Sequence, residues 1–332
     1  MEKEKIIIDC DPGSDDALAI ILALYSGKLD LKAVCSVTGN GALDTTTRNG
    51  LNILSLCGRE DIPLYRGSAV ALDQKQPETV SAFGDDGLGG FAHTIASDKK
   101  EEDQNAVDFL VEYVNGHPKE ITLFAIGPCT NIAHAIRKSP DFAGNLKRLI
   151  IMGGAKYTGN MSPVAEYNFW ADPMAAHEVL MSGIQDVTMI GLDVTNKIAL
   201  DGSMREILRM LNTKLSTFVY NITQEGMDEN WRSRRKAVSP MHDVLTVAYF
   251  LDNSIVKLKP AYIDVVTEGI ARGQSIVDIG GHWNENKCNA KYAYDVDVVK
   301  FYKLFYKEIF NEDRVTNFTL ASAKAFSAIG KP

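Results

Sequence analysis

Ile6-Ile7-Ile8-Asp9-Cys10-Asp11-Pro12-Gly13-Ser14-Asp15-Asp16-Ala17-Leu18-Ala19-Ile20 opens the chain with two apolar runs separated by a short acidic turn. The isoleucines are β-branched and too apolar for an exposed strand, while the second run has the length of a helix. Pro12-Gly13 makes the sharp turn, and Asp15 and Asp16 begin the helix, where the dipole favours negative charge. Strand, tight turn and helix in this order form the first step of a βαβ unit. Further along, candidate strands at 5–9, 31–37, 121–126, 149–152, 187–190, 262–266 and 275–279 alternate with helical patterns at 17–25, 45–56, 106–114, 131–138 and 173–181. That alternation predicts an α/β fold, an open and mainly parallel central sheet flanked by helices. No repeat, low-complexity tract or Pro/Ser-rich linker marks a boundary, so residues 1–332 are expected to form one domain. Residues 71–104 read as a long loop. Residues 224–239, with Trp231 and four basic residues, have a similar polar character; Trp231 is a candidate pocket contact, and the plainer reading makes 225–236 a solvated helix face.

Composition narrows the partners. The chain has 332 residues, 45% hydrophobic and 23% charged, with a formal net charge of −8. Nucleic acid and anionic membranes reward clustered Lys and Arg, so neither is expected as a partner. The N-terminal residues run directly into the first strand without a signal-peptide pattern, and the longest apolar run, 17–25, is too short to span a bilayer. Five cysteines, Cys10, Cys35, Cys57, Cys129 and Cys288, are widely spaced with no Cys-x-x-Cys pair. An odd, scattered set argues against a disulfide framework and a zinc site, and for a reducing cytoplasm.

Polar or glycine-rich segments end successive strands: Asp9-Cys10-Asp11-Pro12-Gly13, Thr38-Gly39-Asn40, Gly127-Pro128-Cys129-Thr130-Asn131, Gly153-Gly154 and Gly191-Leu192-Asp193. Open α/β sheets bind ligands just beyond the carboxyl ends of their strands, so these segments should converge on one crevice. Four carboxylates, Asp9, Asp11, Asp15 and Asp16, fall within eight residues there. Like charges so close must bind protons or share a cation. Oxygen ligands without His or Cys favour Ca²⁺ or Mg²⁺ over zinc. The plainer reading is an acidic helix start with solvated neighbours, and Asp9, at the strand end, is the member expected to be only structural.

The opening segment resembles the inosine-uridine-type nucleoside hydrolase family, whose motif is Asp-x-Asp-Pro-Gly-x-Asp-Asp. The resemblance continues in order through Val37-Thr38-Gly39-Asn40, Ala125-Ile126-Gly127-Pro128-Cys129-Thr130-Asn131-Ile132-Ala133, Met152-Gly153-Gly154, the run from Gly159 to Phe169, and Met241-His242-Asp243. It covers about residues 6 to 299. It implies a Rossmann-like fold, a tightly held Ca²⁺, hydrolysis of the N-glycosidic bond of ribonucleosides, and a homodimer or homotetramer. By the same resemblance Asp11, Asp16 and Asp243 would give the ion carboxylate oxygens and Ile126 a backbone carbonyl. Family members often carry Thr at that last position, a change that a main-chain ligand tolerates. Asp11 would also be the base that activates water.

Asp15, Asn160, Glu166 and Asn168 look like the family's ribose contacts, with Asn40 and Met152 as further pocket residues. Glu166 and Asn168 are two apart, so an extended segment would point both the same way. Ordinary loop hydrogen bonding is the competing role for Asn160, Glu166 and Asn168. His242, beside Asp243, would assist protonation of the departing base, its competing role being a structural hydrogen bond at a helix start. Phe83 departs from the His that many relatives carry at this loop position. It can stack on a base but cannot move a proton, which leaves base preference open.

Two rival readings remain at this level. A haloacid-dehalogenase-like phosphatase also places Asp-x-Asp after an apolar strand, and Asp9, Asp11 and Gly84-Asp85-Asp86 partly fit it. Pro12-Gly13 does not fit, and Gly84-Asp85-Asp86 follows no apolar strand. A Ca²⁺-dependent nucleoside sensor would need the same residues without turnover. No P-loop or Gly-x-Gly-x-x-Gly opens a helix after a strand.

Overall fold

The computed structural model describes residues 3–73, 83–95, 97–283 and 287–313. Eleven strands are present among them: β1 (Glu4–Cys10), β2 (Leu29–Ser36), β3 (Leu64–Arg66), β4 (Thr122–Ala125), β5 (Arg148–Met152), β6 (Val187–Ile190), β7 (Ala199–Asp201), β8 (Val238–Pro240), β9 (Val256–Val265), β10 (Ser275–Ile279) and β11 (Ala290–Val296). Nine form one sheet in the order β10-β9-β11-β6-β5-β4-β1-β2-β3, and β7 and β8 pair separately. The pairings β1–β2, β2–β3, β1–β4, β4–β5, β5–β6 and β6–β11 are parallel, and β9 runs against both of its neighbours. The expected mainly parallel α/β sheet is present.

Alternation across β1 builds both layers of core. Ile6, Ile8 and Cys10 face one apolar cluster and Ile7 faces the other, as the two-residue period of a strand requires. The helix Ser14–Tyr25 is buried from Ser14 to Ala23. It packs between the sheet and the helices Val244–Leu251 and Val298–Phe310, which explains why its sequence is apolar all round rather than on one stripe.

From β1 the chain steps outward to β2 and β3, then returns to lay β4, β5 and β6 on the other side of β1. The reversal point therefore lies between the carboxyl ends of β1 and β4, where an open α/β sheet leaves its crevice. Asp11 follows one strand and Ile126 the other.

Some elements differ from expectation. The strand expected at 262–266 begins earlier, at Val256. Strands β3, β7, β8 and β11 were not anticipated. The polar stretch 224–239 is mostly helix, in line with the helix face read at 225–236, but the helix starts earlier, at Lys214, and is capped at Thr213 by reciprocal bonds with Ser216. Its apolar positions Phe218, Val219 and Ile222 are buried, but beyond Gly226 the inward face turns polar. That face looks into a cavity instead of the core, so the helical period fades where the sequence becomes informative about function. The described part of 71–104 includes the single 3-10 turn Ala92–Thr94. There Asp86 accepts bonds from the amides of Leu88, Gly90 and Ala92 at 2.9, 2.8 and 2.9 Å, which makes it the staple of a loop.

Candidate active site

Beyond the strand ends lies a cavity of about 340 Å³, within the range of small-ligand sites. Asp11, Asp15, Asn40, Phe83, Ile126, Met152, Asn160, Glu166, Asn168, His242 and Asp243 all line it. Every cavity residue expected from sequence except the deeper Asp16 is thus on its wall, and Asp16 lies fully buried beside them.

The floor is built from strand ends. Asp11 leaves β1 between two glycines, Gly39 and Gly127, and a Cβ on either would lie 2.0 Å from Asp11 Oδ2 or 2.7 Å from Oδ1. Only glycine permits so close an approach, which accounts for both glycine motifs. The Asn40 amide donates to Asp11 Oδ2 at 2.7 Å, and its side-chain Nδ2 donates to the Asp11 carbonyl and to Asp16 Oδ2 at 3.1 and 3.0 Å. Asp16 also receives the amides of Asp11 and Gly13, at 3.2 and 2.9 Å. Asn40 is therefore a brace between two carboxylates as well as a cavity residue. Asp9 lies below, fixed by Asn131 Nδ2 at 2.8 Å, in the structural position expected of it.

Oxygens of Asp15, Asp16 and Asp243 lie within 4.8 Å of one another, all three residues buried. By this measure Asp15 joins the cluster directly, while Asp11 stands beside it. Among the described residues no Lys or Arg pairs with any of the four. Burial, with repulsion from Asp15, pushes Asp16 up to about 8, and burial pushes Asp15 up to about 6. Burial and the neighbouring aspartates hold Asp11 and Asp243 well above the usual carboxylate range. Uncompensated carboxylates packed this closely are what a divalent cation would neutralise. The all-oxygen donor set fits a hard ion.

The neighbouring wall comes from residues 153–169. Glu166 was expected in an extended segment but caps the helix Tyr167–Ala171. Its Oε1 accepts from the Asn168 amide at 2.8 Å, and Oε2 accepts from the amides of Gly154 and Phe169 at 2.8 and 3.2 Å. Asn168 Nδ2 in turn donates to the carbonyls of Ile126 and Met152 at 2.9 and 3.1 Å. Of the residues lining the cavity, two have a buried acceptor with no hydrogen-bond partner, Asp15 Oδ1 and Asn160 Oδ1. Buried polar oxygens are rarely left so, and both belong to cavity-lining residues.

The far wall is different. Phe83 is buried against Gly13 and Gly226, and it lines the cavity with Glu229, Asn230, Ser233 and Arg234 from the Lys214–Arg234 helix. Sequence reading missed this helical contribution along with Tyr167, whose hydroxyl donates to the Gly39 carbonyl at 2.6 Å. Residues 226, 230 and 234 recur every four positions, a signal available in the sequence once the stretch is taken as helix. Trp231 points outward, 51% exposed, and is absent from the lining. The outer face is solvated as expected, with Arg232 spanning Glu225 and Glu229. His242 Nδ1 lies 2.9 Å from Thr195 Oγ1. Burial, reinforced by the charge of Arg234, lowers its pKa to about 4, so the imidazole is neutral at pH 7.

Comparison with known proteins places the chain. A family model described as inosine-uridine preferring nucleoside hydrolase matches residues 6–303. The pyrimidine-specific ribonucleoside hydrolase RihA of Salmonella arizonae is 37% identical over 297 residues, 88% of this chain and 94% of that one. The plant nucleoside hydrolase PpNRh1 superposes with a TM-score of 0.88 at 32% identity, covering 94% of this chain and 100% of its own. The purine-preferring ribonucleoside hydrolase from Gardnerella vaginalis gives 0.86 at 33% identity, with the same coverage. The class is that of Rossmann-like N-glycosyl hydrolases. Within it, this chain belongs to the inosine-uridine preferring nucleoside hydrolase family. The phosphatase and sensor readings fall away. No described helix is long and apolar enough to cross a membrane.

Proposed function

We propose that this protein hydrolyses ribonucleosides at a Ca²⁺-dependent site, with Asp11 as the base and Asp11, Asp16, Asp243 and the Ile126 carbonyl as ligands of the ion. The observation that carries the reading is the buried carboxylate floor facing two partnerless acceptors, Asp15 Oδ1 and Asn160 Oδ1. Sugar hydroxyls are donors of the right kind to satisfy both. A cation bound at the floor supplies charge neutralisation and Lewis acidity, which lowers the pKa of water in its shell.

The chain's own residues do the rest. Asp11, held by Asn40, accepts a proton from the attacking water as oxygen bonds to the anomeric carbon and the C–N bond breaks. Asp15, Asn160 and Asn168 orient the ribose, and Glu166 fixes Asn168 through its amide. The bonding electrons leave with the base, which must gain a proton. Neutral His242 can donate from Nε2 when Thr195 donates to Nδ1. Phe83 offers a flat apolar face to the base. The whole chain acts as one domain, and its five unpaired cysteines suit a reducing cytoplasm.

The test is a panel of ribonucleosides, 2′-deoxyribonucleosides and nucleotides assayed for free base and reducing sugar. Ribonucleosides should be the good substrates, because a site that pairs a hydroxyl rejects an analogue lacking it. Equal kcat/KM for inosine and deoxyinosine, and for uridine and deoxyuridine, would contradict the proposed sugar site.

A further inference from the structure

The segment 154–165 carries Asn160 and Met161 into the cavity, yet between Ala155 and Ala165 it has no fully buried side chain to anchor it. Tyr157 is 73% exposed. Its position depends instead on hydrogen bonds. Four consecutive amides go to side chains from three other parts of the fold: Gly154 to Glu166 Oε2 at 2.8 Å, Ala155 to Ser275 Oγ at 3.2 Å, then Lys156 and Tyr157 to Asp193 Oδ2 and Oδ1 at 2.7 and 3.2 Å. After Tyr157 the segment closes on itself, with the Gly159 amide on the Pro163 carbonyl and the amides of Asn160 and Met161 on the Ala165 carbonyl. A Cβ on Gly159 would lie 2.2 Å from that carbonyl oxygen, so the turn is tight. Asp193, just past β6 in the short helix Leu192–Thr195, takes the two amides nearest the turn, while Ser275 of β10 takes that of Ala155. The same helix carries Thr195, the partner of His242.

We infer that Asp193 is a positioning residue, whose carboxylate aims the 154–165 segment so that Asn160 presents its acceptor to the substrate. A charged acceptor taking two adjacent amides is stronger and better directed than a neutral one. Asparagine in its place would keep one acceptor and turn an N–H₂ group towards the second amide. The segment would then shift without losing its internal turn. The inference rests on the reading of Asn160 as a sugar contact, and the experiment separates the two.

The experiment is a double-mutant cycle on kcat and KM with a ribonucleoside substrate, using Asp193→Asn, Asn160→Ala and the pair. Asp193→Asn should lower kcat/KM roughly tenfold, mostly through KM, the scale of one lost charge-assisted hydrogen bond. In the Asn160→Ala background the same substitution should change kcat/KM by less than about twofold. A role confined to stability would lower the melting temperature and leave both constants in place, which overturns the inference. Equal losses in both backgrounds overturn it too. If Asn160→Ala alone changes nothing, the sugar-contact reading has failed instead, and the assignment of Asp193 falls with it. Should Asp193→Asn fold poorly, Asp193→Glu takes its place in the cycle. It keeps both acceptors and displaces the tether by one methylene, and the same loss of effect beside Asn160→Ala is expected.

Discussion

The floor of the cavity and its far wall are built by different means. Asp11, Asn40, Ile126 and Met152 sit at or just beyond the ends of adjacent parallel strands, braced by backbone amides and by glycines that admit no side chain. Gly226, Asn230 and Arg234 come instead from one face of a long helix whose other face is in solvent. A strand-end site is fixed by the sheet, and moving one member disturbs its neighbours. A helical wall can exchange side chains at every fourth position with little effect on the fold. The named relatives share the first region's family while differing in the base they act on, one pyrimidine-specific and another purine-preferring.

If this division holds, substitutions should lose effect in order from floor to outer wall. Asp11→Ala should be the most damaging, lowering kcat by at least ~10²-fold because it removes a general base from the proposed ion site. A loss below tenfold with metal content intact would put the base elsewhere. His242→Ala comes next. It should lower kcat for natural nucleosides by about 10²-fold, the lower end for a lost general acid, and largely spare a nitrophenyl riboside whose leaving group needs no proton. Equal losses on both substrates, measured with the ion retained, would make His242 structural. Phe83→Leu keeps an apolar wedge between Gly13 and Gly226 but removes the ring. KM should rise about three- to tenfold with kcat little changed, as stacking of ~0.5–1.5 kcal/mol acts on ground and transition states alike. Trp231→Ala, at an exposed position off the cavity, should change kcat/KM by less than about twofold. A larger effect there would mean that the base reaches beyond the described wall.

How far the sequence could be read follows the same division. β1, its turn and its helix were legible because a buried strand and a buried helix must both be apolar, and the acids between them stand out. Asp11, Asp15 and Asp16 were visible for that reason, and Gly39 and Gly127 mark the two close approaches to Asp11. Asp243 and His242 come from a distant segment, and the family resemblance alone brought them in. The helix was read at 225–236 but only as a solvated face; its role as a cavity wall was opaque, because its inward residues are polar and carry no apolar stripe to show which side faces in. Glu166 was placed in the site but in the wrong local structure: an acid two residues before an asparagine does not reveal whether it caps a helix or lies in a strand. Asp193 left only a trace, as part of a polar strand end whose bonds to Lys156 and Tyr157 have no signature in sequence.

The central claim is that the crowded aspartates hold a divalent cation that the chemistry needs. Protein stripped with a chelator and then titrated with Ca²⁺ tests it directly, with bound metal and free-base release followed together. About one Ca²⁺ per chain should restore activity, with oxygen ligands at ~2.3–2.6 Å, and the melting temperature should rise as the ion binds the folded state. Full turnover by protein shown to be free of metal would contradict it.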